Sequence, residues 1–145
     1  KNIIPILVGV IVGSIVAMIL AIFVSKGLGL DQDLVVSLVP QSITTAIAIS
    51  LTAEYNGIVA LTAIMVVLRG VIGAAIAPLI LKVFKITDPI AQGVAIGTSA
   101  HAVGTSEARK MGQIQGAMSG LSIAIAGIVT VVLMPLAMLI VDSVF

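Results

Sequence analysis

Three stretches of this chain, residues 3–24, 58–81 and 114–141, are apolar enough to cross a membrane as helices. Each reaches the roughly 20 residues needed to span about 30 Å of hydrocarbon. Arg69 interrupts the second stretch, and the third opens on polar residues, so its apolar core begins near Leu121. Composition agrees: hydrophobic residues make up 60% and charged residues 9% of 145 positions, and mean hydropathy is +1.33. Soluble domains carry about 25% charged residues. The fold class is therefore an all-α polytopic membrane protein, since helices satisfy their own backbone groups in lipid.

The first stretch is too long for the roughly 7–15-residue apolar region of a signal peptide, and no small-x-small cleavage site follows it. It is read as a permanent span. With no cysteine in the chain, disulfides, thiol catalysis and thiolate metal sites are excluded. A net charge of +1, with no basic run interleaved with aromatics, gives no sign of a nucleic-acid partner.

Between the spans lie two segments of another design, residues 31–51 and 87–109, each opening near an Asp and centred on a polar interruption. The interruptions are Pro40-Gln-Ser-Ile-Thr-Thr45 and Gly97-Thr-Ser-Ala-His-Ala-Val-Gly-Thr105. Backbone that leaves helical geometry at membrane depth is tolerated only inside protein or beside a water-filled cavity. Paired interruptions of this kind mark substrate sites in transporters. A shift of 57 positions places Gly13 on Gly70, Ile15 on Ile72, Asp31 on Asp88 and Ser42 on Ser99, which suggests internal duplication.

Charge suggests how the segments are threaded. Lys82 and Lys85 follow the second span, and Arg109 and Lys110 follow the second polar segment, whereas Lys26 shares its loop with Asp31 and Asp33. The positive-inside rule places both basic clusters in the cytoplasm if each broken segment is a re-entrant hairpin returning to the side it entered from. The hairpins would then enter from opposite faces and meet near the midplane, an inverted-repeat arrangement. The alternative, in which both segments cross fully, puts Lys82 and Lys85 outside.

Several residues are candidates for binding. His101, the single histidine, has an ordinary pKa of about 6.5 that suits proton exchange near neutrality; a hydrogen-bonded structural role is the alternative. Arg69 would cost roughly 2.5–3.5 kcal/mol at the centre of a helix in lipid, so it should face inward. Its expected partner is Glu107, Asp88 or a bound anion. Ser42, Thr44, Thr45, Thr98, Ser99 and Thr105 offer hydroxyls on the two breaks, either to a ligand or to carbonyls freed within their own segments. Free N–H groups at the start of each half-helix could also bind a carboxylate. Gly9 and Gly13 form a small-xxx-small pair suited to close helix approach. A metal site is not expected, because His101 has no second His or Cys to join it.

The stretches Ser-Leu-Val-Pro40-Gln-Ser-Ile-Thr-Thr-Ala-Ile-Ala48, Gly97-Thr-Ser-Ala-His101-Ala-Val-Gly-Thr105 and Gln-Gly116-Ala-Met-Ser-Gly-Leu resemble the LrgB/CidB family. The resemblance covers essentially the whole chain. Family members carry further hydrophobic segments ahead of this point, so the chain is expected to be a single transmembrane domain forming the C-terminal part of a longer protein. The family is antiholin-like and associated with control of murein hydrolase activity and autolysis; its plant relatives are plastidial glycolate/glycerate translocators.

The resemblance implies a multi-pass protein of the bacterial inner membrane. It implies a secondary transporter of small monocarboxylates such as pyruvate, glycolate or glycerate, coupled to protons through His101. The other reading is an antiholin-like regulator acting with a small holin-like partner of the LrgA/CidA type. Membrane lipid and self-association are the remaining expected partners, and no cofactor is expected. Where relatives carry Lys, Pro and Arg, this sequence has Gln41, Ala46 and Glu107. Gln41 then joins the candidate binding residues, and Arg69 and Arg109 are left as the cations for an anionic substrate. With neither a Gly-x-Ser-x-Gly elbow nor a His-Glu-x-x-His motif, the chain is not expected to be an enzyme.

Overall fold

A computed structural model describes residues 3–145; Lys1 lies outside them. Three long helices form its frame: α1 (Ile3–Gly27), α4 (Val59–Val83) and α6 (Gln113–Val144). At 25, 25 and 32 residues and about 1.5 Å per residue, each is long enough to span a bilayer. Between them lie the short helices α2 (Gln32–Leu38) and α3 (Thr45–Glu54), and the kinked α5 (Pro89–Met111).

The distribution of polarity is that of a protein in lipid. Large side chains such as Leu20, Leu79 and Leu139 stand more than half exposed on the outside of the bundle. Hydroxyls are turned inward, with Ser14, Ser37, Thr52, Thr62, Ser119, Ser122 and Thr130 almost wholly buried. Lipid supplies no hydrophobic drive for helices to associate, so close backbone approach and interhelical hydrogen bonds must hold the frame. Gly97 shows the first: a Cβ there would run into the backbone of Ser119 on α6. Gly9 and Gly13 meet Val94 and Thr98, so this small-residue pair seats α1 on α5.

Both polar segments are hairpins. In the second, Gly97 abuts Ser119 and Thr105 Oγ1 lies 2.7 Å from Ser119 Oγ, so residues before and after the break share one level of α6. Gln92, near the start of α5, accepts a hydrogen bond from Gln115 Nε2, while Gly116 packs on Arg109 near its end. A straight helix would separate residues 92 and 109 by about 25 Å. In the first hairpin, Ser37 of α2 and Thr52 of α3 both hydrogen-bond Thr62 of α4. The helix α2 thus descends, the chain turns at residues 39–44, and α3 returns.

The hairpins enter from opposite ends. Lys26 Nζ donates to Val144 O, and Gln32 Nε2 donates to Asp142 Oδ1 at 2.8 Å, which places the mouth of the first hairpin with the C-terminal ends of α1 and α6. At the other end, Pro5 and Ile6 of α1 lie beside Asp88 and Ala91, and Gln92 Nε2 donates to Ile86 O after α4. This end carries Lys82, Lys85, Arg109 and Lys110 and is called the basic face; the opposite, acidic face carries Asp31, Asp33, Glu54 and Asp142 with Lys26. The threading is the one that the basic clusters favoured.

The 57-position shift also relates whole elements. It carries α1 onto residues 60–84, which α4 nearly occupies, and α3 onto residues 102–111, the returning arm of α5. The chain is thus a span-plus-hairpin unit, a second such unit of inverted direction, and a closing span.

Candidate functional site

The first break begins where Pro40, lacking an N–H, cannot continue the ladder of α2. Two loose turns follow, Gln41 N to Leu38 O and Ile43 N to Pro40 O. Thr44 is extended (φ −60°, ψ 140°) and α3 starts at the next residue. Its first intrahelical hydrogen bond is donated by Ala48, so the opening N–H groups of α3 have no acceptor within their own helix.

In the second break one residue makes the turn. His101 has φ 39° and ψ −137°, a left-handed backbone that side chains rarely adopt. The surroundings hold it there. Its Nε2 lies 2.7 Å from Val66 O of α4. Space for the ring comes from Gly70, where a Cβ would sit 2.5 Å from His101 Cε1.

Arg69, one residue before Gly70, binds the same hairpin tip by donating from Nε to Ser99 O at 3.0 Å. Neither expected acidic partner reaches it. Asp88 caps α5 by accepting from Ala91 N at 2.8 Å, and Glu107 pairs with Lys110 at 2.9 Å. Among the described residues, Arg69 has no carboxylate partner.

The two breaks meet at Arg69. Gln41 from the first and Ser99 from the second line one cavity of about 460 Å³ with Arg69, and the wall continues along α4 through Ile72, Ile76 and Leu81. On the other side of Arg69, Thr98 and Ser99 line a smaller hollow of about 170 Å³ against Gly9 and Gly13. Gln41, Arg69, Thr98 and Ser99 therefore form one polar centre.

The remaining candidates lie elsewhere. His101 is buried behind the tip against α4, and Thr105 faces α6 through Ser119. Ser42 is buried, and Thr44 and Thr45 are half-buried; none of the three lines either hollow. Arg109 lies at the basic face against Gly116, an arm's length of hairpin away from the tip. Thr98, Ser99 and Thr105 donate to Val94 O, Ala95 O and His101 O respectively, so these hydroxyls hold freed or strained carbonyls in their own segment.

Two features go beyond the motifs. One is the buried chain joining Ser37, Thr52 and Thr62, which ties the first hairpin to α4. The other is the pair Ser14 and Thr130, buried hydroxyls with no hydrogen-bond partner among the described residues. Their signal in the sequence was a hydroxyl within an apolar span.

The LrgB-like family pattern matches residues 1–140. Proteins named Antiholin-like protein LrgB from Bacillus mycoides (strain KBAB4), Bacillus cereus (strain B4264) and Bacillus anthracis (strain CDC 684 / NRRL 3495) are similar. Each is 40% identical over 115 residues, covering 79% of this chain and 50% of the relative. The chain thus spans about half the length of the curated relatives it matches. No solved structure matches it. With the family pattern covering nearly all of its length, the chain belongs to the LrgB-like family.

Proposed function

We propose that this chain forms the substrate-binding core of a secondary transporter for small monocarboxylates. The observation that carries this reading is the convergence of two hairpin tips on Arg69, a cation at membrane depth with no carboxylate partner. A guanidinium there matches the charge and planar geometry of a carboxylate. Gln41 adds a neutral hydrogen-bonding group, and the unbonded amides that open α3 add positive potential near the midplane. Opposed hairpins allow the centre to be exposed to each face in turn. The positive-inside rule assigns the basic face to the cytoplasm of a bacterial inner membrane. Nothing in the site calls for a reaction on the substrate, and the chain is read as a non-enzyme.

Counterflow in proteoliposomes preloaded with pyruvate, glycolate or glycerate tests the reading. Saturable exchange that falls at least tenfold in Arg69→Gln is expected, a loss of about 1.4 kcal/mol of binding. Absence of saturable exchange, or exchange indifferent to Arg69→Gln and His101→Ala, would overturn it.

The relatives' names favour a second reading more directly than transport: an antiholin-like regulator of murein hydrolases that acts with a small membrane partner. The outward apolar faces of α1, α4 and α6 are available for such a partner. Under this reading, suppression of autolysis survives Arg69→Gln and is lost when outward residues such as Leu79 or Val132 are replaced by Trp. The opposite ranking would favour transport.

A further inference from the structure

We propose that the Arg69 centre selects amphipathic monocarboxylates, with an apolar tail of several methylenes, over hydroxylated two- and three-carbon acids. The proposal rests on the transport reading of this same site and names its ligand class more narrowly.

Three properties of the cavity support it. The first is volume: a three-carbon keto acid has six heavy atoms and, at the ~30 Å³ share of a water molecule for each, would fill on the order of 180 Å³. The cavity holds about 460 Å³, so most of it would remain unused. The second is the arrangement of polarity. Arg69, Gln41 and Ser99 are the polar lining residues, and the rest of the wall is apolar, including Ile72, Ile76 and Leu81.

The third is direction. Gly73 faces Ala100, and Ala77 and Leu81 cluster with Ile96, Ala108 and Ile86, so the wall from Arg69 to Leu81 runs from the hairpin tips toward the basic face. Twelve residues of helix give it a length of about 18 Å. A carboxylate on Arg69 would therefore direct an extended tail along α4. Substrate hydroxyls on that tail would find no partner there and would lose their hydration without compensation. Methylenes, by contrast, gain on leaving water.

The test is binding to the purified chain in nanodiscs, measured by equilibrium dialysis with acetate, butyrate, hexanoate and octanoate. Octanol and empty nanodiscs correct for partition into lipid. The expected dissociation constant falls about threefold to fourfold per methylene, glycerate binds more weakly than butyrate, and octanol shows no saturable binding. Arg69→Gln should weaken every acid at least tenfold. Ala95→Leu, which places a larger side chain in the cavity wall, should flatten the dependence on length.

A series without length dependence, or octanoate binding indifferent to both substitutions, overturns the proposal using the unaltered chain as the reference. Pyruvate counterflow together with a flat series would reject this ligand class and leave transport standing. A steep series without counterflow of any acid would support the site and reject transport.

Discussion

The imidazole Nε2 of His101 lies 2.7 Å from the carbonyl oxygen of Val66. A carbonyl only accepts, so Nε2 carries the hydrogen, and Nδ1 is the acceptor of a neutral ring. Val66 O belongs to the helix that also carries Arg69, three residues on, and Arg69 donates back to Ser99 O of the same hairpin. The tip and the span are therefore tied in both directions across one turn of α4. Motion of the hairpin relative to α4 must break both hydrogen bonds, and this makes the pair the natural latch of the site.

The left-handed backbone at His101 separates two contributions to stability. A side chain in such a region costs of order 1–3 kcal/mol, while the hydrogen bond to Val66 contributes about 0.5–1.5 kcal/mol. His101→Ala keeps the strain and loses the bond; His101→Gly loses both. Thermal unfolding in detergent should rank His101→Gly above His101→Ala by about 1 kcal/mol, with both impaired in counterflow. If Ala proved the more stable, the turn would not be strained.

Packing of the second hairpin predicts a graded glycine series. Alanine at Gly97 meets the backbone of Ser119, and alanine at Gly70 meets the His101 ring, whereas Gly120 has open space around it. Overpacking costs about 1–3 kcal/mol, and more where backbone must move. Gly97→Ala should therefore be the most destabilised, Gly70→Ala intermediate, and Gly120→Ala unchanged or slightly improved, as read by melting temperature.

Much of this architecture was legible in the sequence. Apolar run lengths set the three spans, Pro40 marked the first turn, and the basic clusters chose between hairpin and full crossing. The second turn was harder to place, because Gly97 and Gly104 looked like its natural pivots. Gly97 instead allows α5 to lie against Ser119, and the turn falls on His101, which its bond to Val66 holds in place. Such tertiary enforcement leaves no local trace. The partner of Arg69 was also misjudged for a physical reason: Asp88 is committed to capping α5 and Glu107 to its near neighbour Lys110. The network of Ser37, Thr52 and Thr62 was missed because isolated hydroxyls in apolar runs carry no spacing signal.

That network makes a prediction for the first hairpin. Thr62 Oγ1 donates to Ser37 O at 2.8 Å and lies 2.8 Å from Thr52 Oγ1, all three residues being fully buried. Thr62→Val should cost about 1–3 kcal/mol by leaving Ser37 O unbonded. Thr52 keeps its bond to Ala48 O, so Thr52→Val should cost less. A double-mutant cycle of thermal stabilities should show a coupling of about 0.5 kcal/mol or more, because the two hydroxyls share one network. Strict additivity would mean that the two act independently.

Threading can be tested directly, because the chain contains no cysteine and any single Cys introduced is the only thiol. Cys at positions 33 and 142 would lie on the acidic face; Cys at 85 and 110 would lie on the basic face. In intact bacterial cells a membrane-impermeant maleimide should label the first pair, and the second pair should react only after permeabilisation. The critical comparison is between positions 33 and 54, at the two ends of the first hairpin, and between 85 and 110, which bracket the second. Each pair should label from one side. If either segment crossed fully, its two ends would label from opposite sides, the tips could not meet at Arg69, and the shared cavity would be lost with them.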